Sequence, residues 1–328
     1  MRILVTGIAG FIGSHVARHL LDAGHEVVGL DDLSGGFEEN VPAGARFVRG
    51  RVGDRELTRQ LFEEHAFEAV YHLAAYAAEG LSHFVKRFNY DNNLAGSVNL
   101  LSHAVNHGAR LFVFTSSIAV YGAAQCPMVE TTRPEPEDPY GIAKFAFEME
   151  LEVTRRMFGL PYVIFRPHNV YGERQNIADR YRNVVGIFMR QALRGEPMCV
   201  FGDGRQTRAF SYIDDVAPVL ARAVDLPACW NQVFNIGADT PCEVLDVARE
   251  VSAALGVELR LKHLEARHEV RHAYADHAKV REFFGFPAGI SLHKGIRRMA
   301  EWVRQRPLPD PTPAPPIEIP RNLPDGWA

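Results

Sequence analysis

Apolar runs separated by short polar breaks predict strands and helices in alternation through the first half of the chain. Arg2-Ile3-Leu4-Val5-Thr6 is a short β-rich run closed at once by Gly7, the pattern of a buried parallel strand. Val16, Ala17, Leu20 and Leu21 then recur at helical spacing. His25 to Leu30 and Arg46 to Arg49 read as strands, Arg55 to Glu64 as a helix, and Ala69 to Leu73 as a strand. One long helix is expected from roughly Phe84 to His107. Leu111 to Thr115 is almost wholly apolar and predicts a strand covered on both faces. A last clear helix runs from about Tyr140 to Phe158. Strands alternating with helices make this an α/β chain built on a doubly wound parallel sheet.

The first turn adds chemistry to that pattern. Gly7, Gly10 and Gly13 follow a strand and open a helix. A Cβ at the first two would crowd an approaching pyrophosphate, and a helix N-terminus offers free N–H groups to it. The next strand runs into Asp31-Asp32, about 20 residues on, where an acid binds the adenosine ribose hydroxyls. A carboxylate there repels a 2′-phosphate, so the spacing implies NAD rather than NADP. This is the Rossmann form of the doubly wound fold. We therefore expect an NAD-binding domain over residues 1–170, to which some later segments return. A smaller C-terminal α/β substrate-binding lobe is expected over 171–306, followed by a Pro-rich tail over 307–328. Ile319, Leu323 and Trp327 give that tail apolar groups with which to dock, although a disordered end is an equal reading.

Composition narrows the partners. A net charge of −4 over 328 residues predicts no nucleic-acid footprint. No apolar run reaches membrane-spanning length, and the immediate first strand leaves no room for a signal peptide. Cys126, Cys199, Cys229 and Cys242 show no C-x-x-C spacing, so free thiols in a reducing cytoplasm are expected. Only five of the 36 basic residues are Lys, which makes Lys144 notable. It stands four residues after Tyr140, so phenol and ammonium share one helix face. A nearby cation lowers a phenol pKa and makes a base of it.

The pieces Gly7-x-x-Gly10-x-x-Gly13, His72-Leu73-Ala74-Ala75, Asn92-Asn93, Thr115-Ser116-Ser117, Tyr140-x-x-x-Lys144, Arg166-Pro167-x-Asn169 and Arg208-x-Phe210-x-Tyr212 occur in one order. Together they resemble the extended short-chain dehydrogenase/reductase family, and within it the nucleotide-sugar 4-epimerases. The resemblance implies that Gly7, Gly10, Phe11, Ile12, Gly13, Asp31, Asp32, Ser34, Val52, Leu73, Ala74 and Asn92 bind NAD. Ser117 would bond the sugar 4-hydroxyl, and Tyr140 would be the acid/base. Lys144 would bind the nicotinamide ribose and tune Tyr140. For a UDP-sugar substrate, Asn169, Asn183 and Val184 would meet the phosphates and nucleotide, Phe201 the uracil, and Arg208 and Arg267 the diphosphate. Ala273, or Tyr274 in a register one residue later, would wall the sugar pocket, and Ala273 would leave room for an N-acetyl group. The implied activity is inversion at C4 through a 4-keto sugar in a homodimer paired through the helices near 84–107 and 140–158. Phe145, Met149 and Val153 would form the apolar face of the second helix.

Several features bear on the alternatives. Family dehydratases and decarboxylases carry acids just after the fifth strand; here Ile118 and Ala119 cannot transfer a proton. An NAD-dependent reductase or dehydratase remains the second enzymatic reading. An NAD-sensing module without turnover is a third, although such modules lose the Tyr or Lys kept here. Arg51 replaces the usual adenine-contacting Asp. His268-Glu269-x-x-His272 spells a zinc-protease motif, but that motif needs a helix. The surrounding sequence predicts a loop and short strand, so no metal is expected.

Overall fold

The computed structural model describes residues 1–328 apart from 268, 286–288, 311, 325–326 and 328. Its centre is a seven-stranded sheet. The first six strands are β1 (Arg2–Thr6), β2 (Glu26–Asp31), β3 (Arg46–Arg49), β4 (Ala69–His72), β5 (Leu111–Thr115) and β6 (Tyr162–Pro167). Gln232–Ile236 supplies the seventh, and the spatial order is Gln232–Ile236, β6, β5, β4, β1, β2, β3. Every neighbouring pair is parallel. Strand order reverses at β1, between β4 and β2, and opens the crevice at the carboxyl ends of these strands that doubly wound sheets use for ligands.

Helix α1 (Phe11–Asp22) leaves that crevice and buries Val16, Ala17 and Leu20. Helix α2 (Arg55–His65) is capped by Asp54, whose carboxylate accepts the amides of Glu56 and Leu57. The long helix expected over 84–107 is present as one run of helical backbone, made of α4 (Lys86–Tyr90), a π-helical stretch over Asp91–Ala95, and α5 (Gly96–Asn106), with a short turn, α3 (Glu79–Ser82), before it. The widened turn has a local cause. The Asn93 side chain donates to the carbonyl of Tyr76 at 3.1 Å and accepts the Tyr76 amide at 2.9 Å, tying the helix to the loop after β4. Such widened turns collect at functional sites.

Helix α6 (Pro139–Phe158) starts with Asp138 as cap and proline at the first turn, and stops at Gly159 with φ 75°. Beyond it, α7 (Val184–Leu193), the helices Val244–Leu255 and Leu292–Arg304, and three small sheets form the second layer of the molecule. One apolar cluster joins the two parts, running from Ile3 and Val16 through Phe188 and Val216 to Val251 and Met299. After Arg306 the chain turns back. Glu318 accepts the amides of Arg87 and Phe88 at 2.8 and 2.9 Å. Trp327 packs on Ala78, Leu81 and Val85, and Leu323 joins them, whereas Ile319 stays exposed.

Candidate active site

The glycine turn is built by contacts that a side chain would break. Gly7 adopts φ +75°, and a Cβ there would lie 2.8 Å from the Ala74 amide nitrogen; a Cβ on Gly13 would lie 2.0 Å from the Gly7 carbonyl. Gly10 caps α1 without a side chain of its own, so the helix end is open to the crevice. The loop facing it is pinned from β1, where the Thr6 hydroxyl accepts the amides of Leu73 and Ala74 at 3.2 Å. Thr6 also bonds His72 at 2.8 Å, and His72 bonds Ser97 at 2.7 Å. Burial, with Lys144 nearby, pushes His72 down to about 3, so it acts as a neutral strut.

Asp31 ends β2 with its carboxylate accepting the Ala9 amide at 3.0 Å and the Leu33 amide at 2.8 Å. Burial raises its pKa against the lowering effect of those bonds. Asp31 therefore also braces the glycine turn. Arg51 lies 3.7 Å from Asp32 at the same end of the crevice. An open helix end, a glycine floor and a braced acid fit a dinucleotide. Replacing Asp31 by Ala is expected to weaken NAD binding by about 10–10²-fold, as for loss of a hydrogen bond to a charged group, and to relax discrimination against NADP. Titration with both cofactors checks this; unchanged affinities would place ribose recognition on another residue.

The catalytic candidates stand at the inner end. Helix α6 is held in place by the Tyr140 amide, which donates to the Ser82 hydroxyl at 3.2 Å, and by Asn89, which donates to the Pro139 carbonyl at 2.8 Å. Tyr140 and Lys144 are 5% and 2% exposed. Lys144 donates to the Thr115 carbonyl at 2.7 Å, and its nitrogen is 5.7 Å from the Tyr140 ring centre. Burial brings Lys144 down to about 7. Burial, then the charge of Glu79, raises Tyr140 well above the ordinary phenol range, while a hydrogen bond from Ser117 opposes the rise. Burial and Glu79 thus push Tyr140 up and Ser117 opposes them, while the Lys144 ammonium is directed to the end of β5.

Tyr140, Lys144, Ser117 and Glu79 line one cleft of about 420 Å³, a usual size for a small-ligand site. The cleft brings together Gly7, Gly10, Phe11, Ile12, Gly13, Asp31, Asp32, Ser34, Val52, Leu73, Ala74 and Asn92 at the dinucleotide side. Ser117, Tyr140 and Lys144 follow, and then Asn169, Asn183, Val184, Phe201, Arg208 and Arg267. Asn183 caps α7, with its carbonyl oxygen accepting the Val185 amide. Arg267 lies over the Phe201 ring at 4.5 Å and within 5.8 Å of the Trp327 ring. The tail thus packs behind the nucleotide end.

One expectation is corrected, the wall of the sugar pocket. Ala273 does not line the cleft; it is buried with Ile118, Val120, Tyr121, Met128 and Ala275, on a short strand beside Thr207–Ala209. Tyr274 is not in the lining either. The zinc-like motif is not helical over its described residues: His272 opens the strand and bonds the Thr207 hydroxyl at 2.8 Å, and His268 falls outside the described residues. Sequence reasoning also missed Glu79, Arg182 and Glu269, which line the cleft without belonging to any motif quoted above for binding or catalysis.

A dinucleotide cradle that runs into a Ser–Tyr–Lys group defines a Rossmann enzyme of hydride chemistry. The chain belongs to the NAD-dependent epimerase/dehydratase family, whose sequence model matches residues 3–237. It is 35% identical to a UDP-glucose 4-epimerase of Mycolicibacterium smegmatis over 314 residues, covering 93% of this chain and 99% of the relative. The UDP-glucose 4-epimerase of Thermotoga maritima, solved with UDP-glucose, superposes with a TM-score of 0.88 at 36% identity, covering 93% of this chain and 99% of that one. The UDP-glucuronic acid 4-epimerase of Bacillus cereus, solved with UDP-glucuronic acid and NAD, gives 0.85 at 28% identity with the same coverage. The cofactor is NAD. Among the described residues no helix is long and apolar enough to cross a membrane.

Proposed function

We propose that this protein is an NAD-dependent UDP-sugar 4-epimerase. The carrying observation is a single cleft in which the dinucleotide cradle, Ser117 with Tyr140 and Lys144, and the pair Arg208 and Arg267 succeed one another. Gly7, Gly10, Gly13 and Asp31 would hold NAD, which when bound would supply hydride acceptance and return at C4. Tyr140 removes the 4-hydroxyl proton in the first half and gives it back in the second. Ser117 bonds the same hydroxyl and passes its own hydrogen bond to the phenol. Lys144 holds the cofactor ribose. Arg208 and Arg267 grip the diphosphate, about which the 4-keto sugar turns, and Phe201 meets the uracil. Asn169, Asn183 and Val184 complete the nucleotide side.

Ile118 and Ala119 leave the end of β5 without a side chain able to expel or abstract at C5 or C6, which favours epimerisation over dehydration. The test is a panel of UDP-, GDP-, CDP- and dTDP-sugars incubated without added reductant and read by NMR. Conversion of UDP-glucose to UDP-galactose supports the reading. Accumulating NADH or a 4-keto-6-deoxy product overturns it in favour of a reductase or dehydratase.

The homodimer belongs to the same reading. Ile142, Met149, Val153 and Met157 form an exposed apolar stripe along α6, and Val98 is exposed on α5. Phe145 instead packs partly inward beside the Tyr121 cluster. Light scattering at micromolar concentration is expected to give twice the chain mass, and Met149→Glu to give a monomer; a monomeric parent protein refutes it. The free thiols of all four cysteines fit a cytoplasmic setting.

A further inference from the structure

Glu79 begins α3 with its side chain open to the cleft, and among the described residues no hydrogen bond or ion pair reaches its carboxylate. Its surroundings are charged. Enclosure by the cleft walls raises its pKa on balance; Arg208 and Arg267 lower it and Glu269 adds to the rise. Its charge in turn reaches both Asp138 and Tyr140. The carboxylate therefore shares one cleft with the proton carrier and the two arginines, the cleft in which the pyranose of a UDP-sugar would sit.

The cations of this end are already engaged. Arg182 pairs with Asp179 at 2.6 Å, Arg267 with Glu269 at 3.1 Å, and Arg208 with the same Glu269 at 3.6 Å. Lys144 is turned to the Thr115 carbonyl. Arg208 and Arg267 are the groups a diphosphate would claim. A sugar carboxylate entering after it would meet Glu79 with no cation left, among the described residues, to neutralise it. A hydroxyl entering there would find a free acceptor. A group that accepts from one substrate and repels another gives specificity from both sides.

We propose that Glu79 is a specificity-determining residue that selects UDP-sugars with an uncharged, hydroxyl-bearing pyranose and rejects uronates. The proposal rests on the UDP-sugar 4-epimerase reading and names the substrate class within it. Glu79 also sets the working pH of Tyr140. A negative charge beside a phenol raises its pKa, so removing it lets the base form exist at lower pH. The other groups facing Tyr140 are Ser117, Asp138, Arg182 and Lys144; of these Asp138 also loses the charge of Glu79, so its own pKa falls in the same direction.

The experiment compares UDP-glucose and UDP-glucuronate as substrates of the wild-type protein, Glu79→Gln and Glu79→Asp, with kcat/KM measured across pH. Wild type is expected to prefer UDP-glucose by about 10²-fold, the size of a like-charge contact at partial screening. Glu79→Gln keeps the side-chain size and is expected to narrow that preference at least tenfold. It should also move the acid limb for UDP-glucose to lower pH. Glu79→Asp keeps the charge and is expected to keep the preference. Comparable conversion of both sugars by wild type, or an unchanged ratio and pH profile in Glu79→Gln, overturns the role of Glu79 alone. No product from either sugar overturns the epimerase reading and this proposal with it.

Discussion

Tyr140→Phe is expected to lower epimerisation by about 10²–10⁴-fold, the usual contribution of a general acid/base, while NAD still binds. The ring fills the same space, so the start of α6, set by Asp138, Ser82 and Asn89, is left intact. What disappears is the hydroxyl that, in the proposed mechanism, takes and returns the proton. The buried phenol has a raised pKa in the free protein, pushed up by burial and by Glu79. Its base form must therefore be favoured by what binds beside it, and Ser117 offers one such hydrogen bond. Product NMR measures turnover, and cofactor retained after purification measures NAD binding. A near-normal kcat in this variant would sink the mechanism; loss of NAD together with activity would mean that the phenol hydroxyl itself helps to hold the cofactor.

Five strands of the core and most of the cleft were legible in the sequence because local rules set them; β6 and Gln232–Ile236 were not read as strands. A strand that ends in glycines, a helix that starts with an open end and an acid at the end of the next strand each follow from neighbours in the chain. The Tyr140–Lys144 spacing is equally local. Misreadings arose where distant segments decide. The helix at 86–106 was read correctly, but its widened turn at Asp91–Ala95 depends on Asn93 reaching the backbone of Tyr76, which apolar periodicity does not record. Ala273 was placed by counting along a loop, whereas pairing with Thr207–Ala209 turns it into the Tyr121 cluster. Glu79 carries no motif; its place beside Tyr140 and the arginines arises only when α3 packs on α6. The tail was left open between docking and disorder, and the contacts of Glu318 and Trp327 with the α3–α4 region are again long-range.

The second large effect is expected on stability. Arg166, on β6, and Glu148, on α6, form a paired set of hydrogen bonds at 3.0 and 2.5 Å with both side chains 5% exposed. Arg166 also donates to the Tyr121 hydroxyl at 2.7 Å, and Tyr121 donates to the Asn235 side chain at 2.8 Å. The set ties the catalytic helix to the sheet and to the strand Gln232–Ile236. Glu148→Ala leaves a guanidinium buried without its counter-ion, so a loss of about 3–5 kcal/mol in unfolding free energy is expected. Replacing both partners, Glu148→Leu with Arg166→Met, removes the uncompensated charge as well as the attraction. That double variant is expected to recover most of the loss, since apolar replacement of a buried pair is often nearly neutral. Activity is expected to follow a different order. Glu148 is also the charge that favours the ammonium of Lys144, so the double variant regains stability while its Lys144 titrates at lower pH than in the parent. Urea denaturation and a pH–rate profile separate the two. A Glu148→Ala protein within about 1 kcal/mol of the parent, at the low end of what removing one hydrogen-bond partner costs, would show that water reaches Arg166 and that the pair is not what fixes α6 to the sheet.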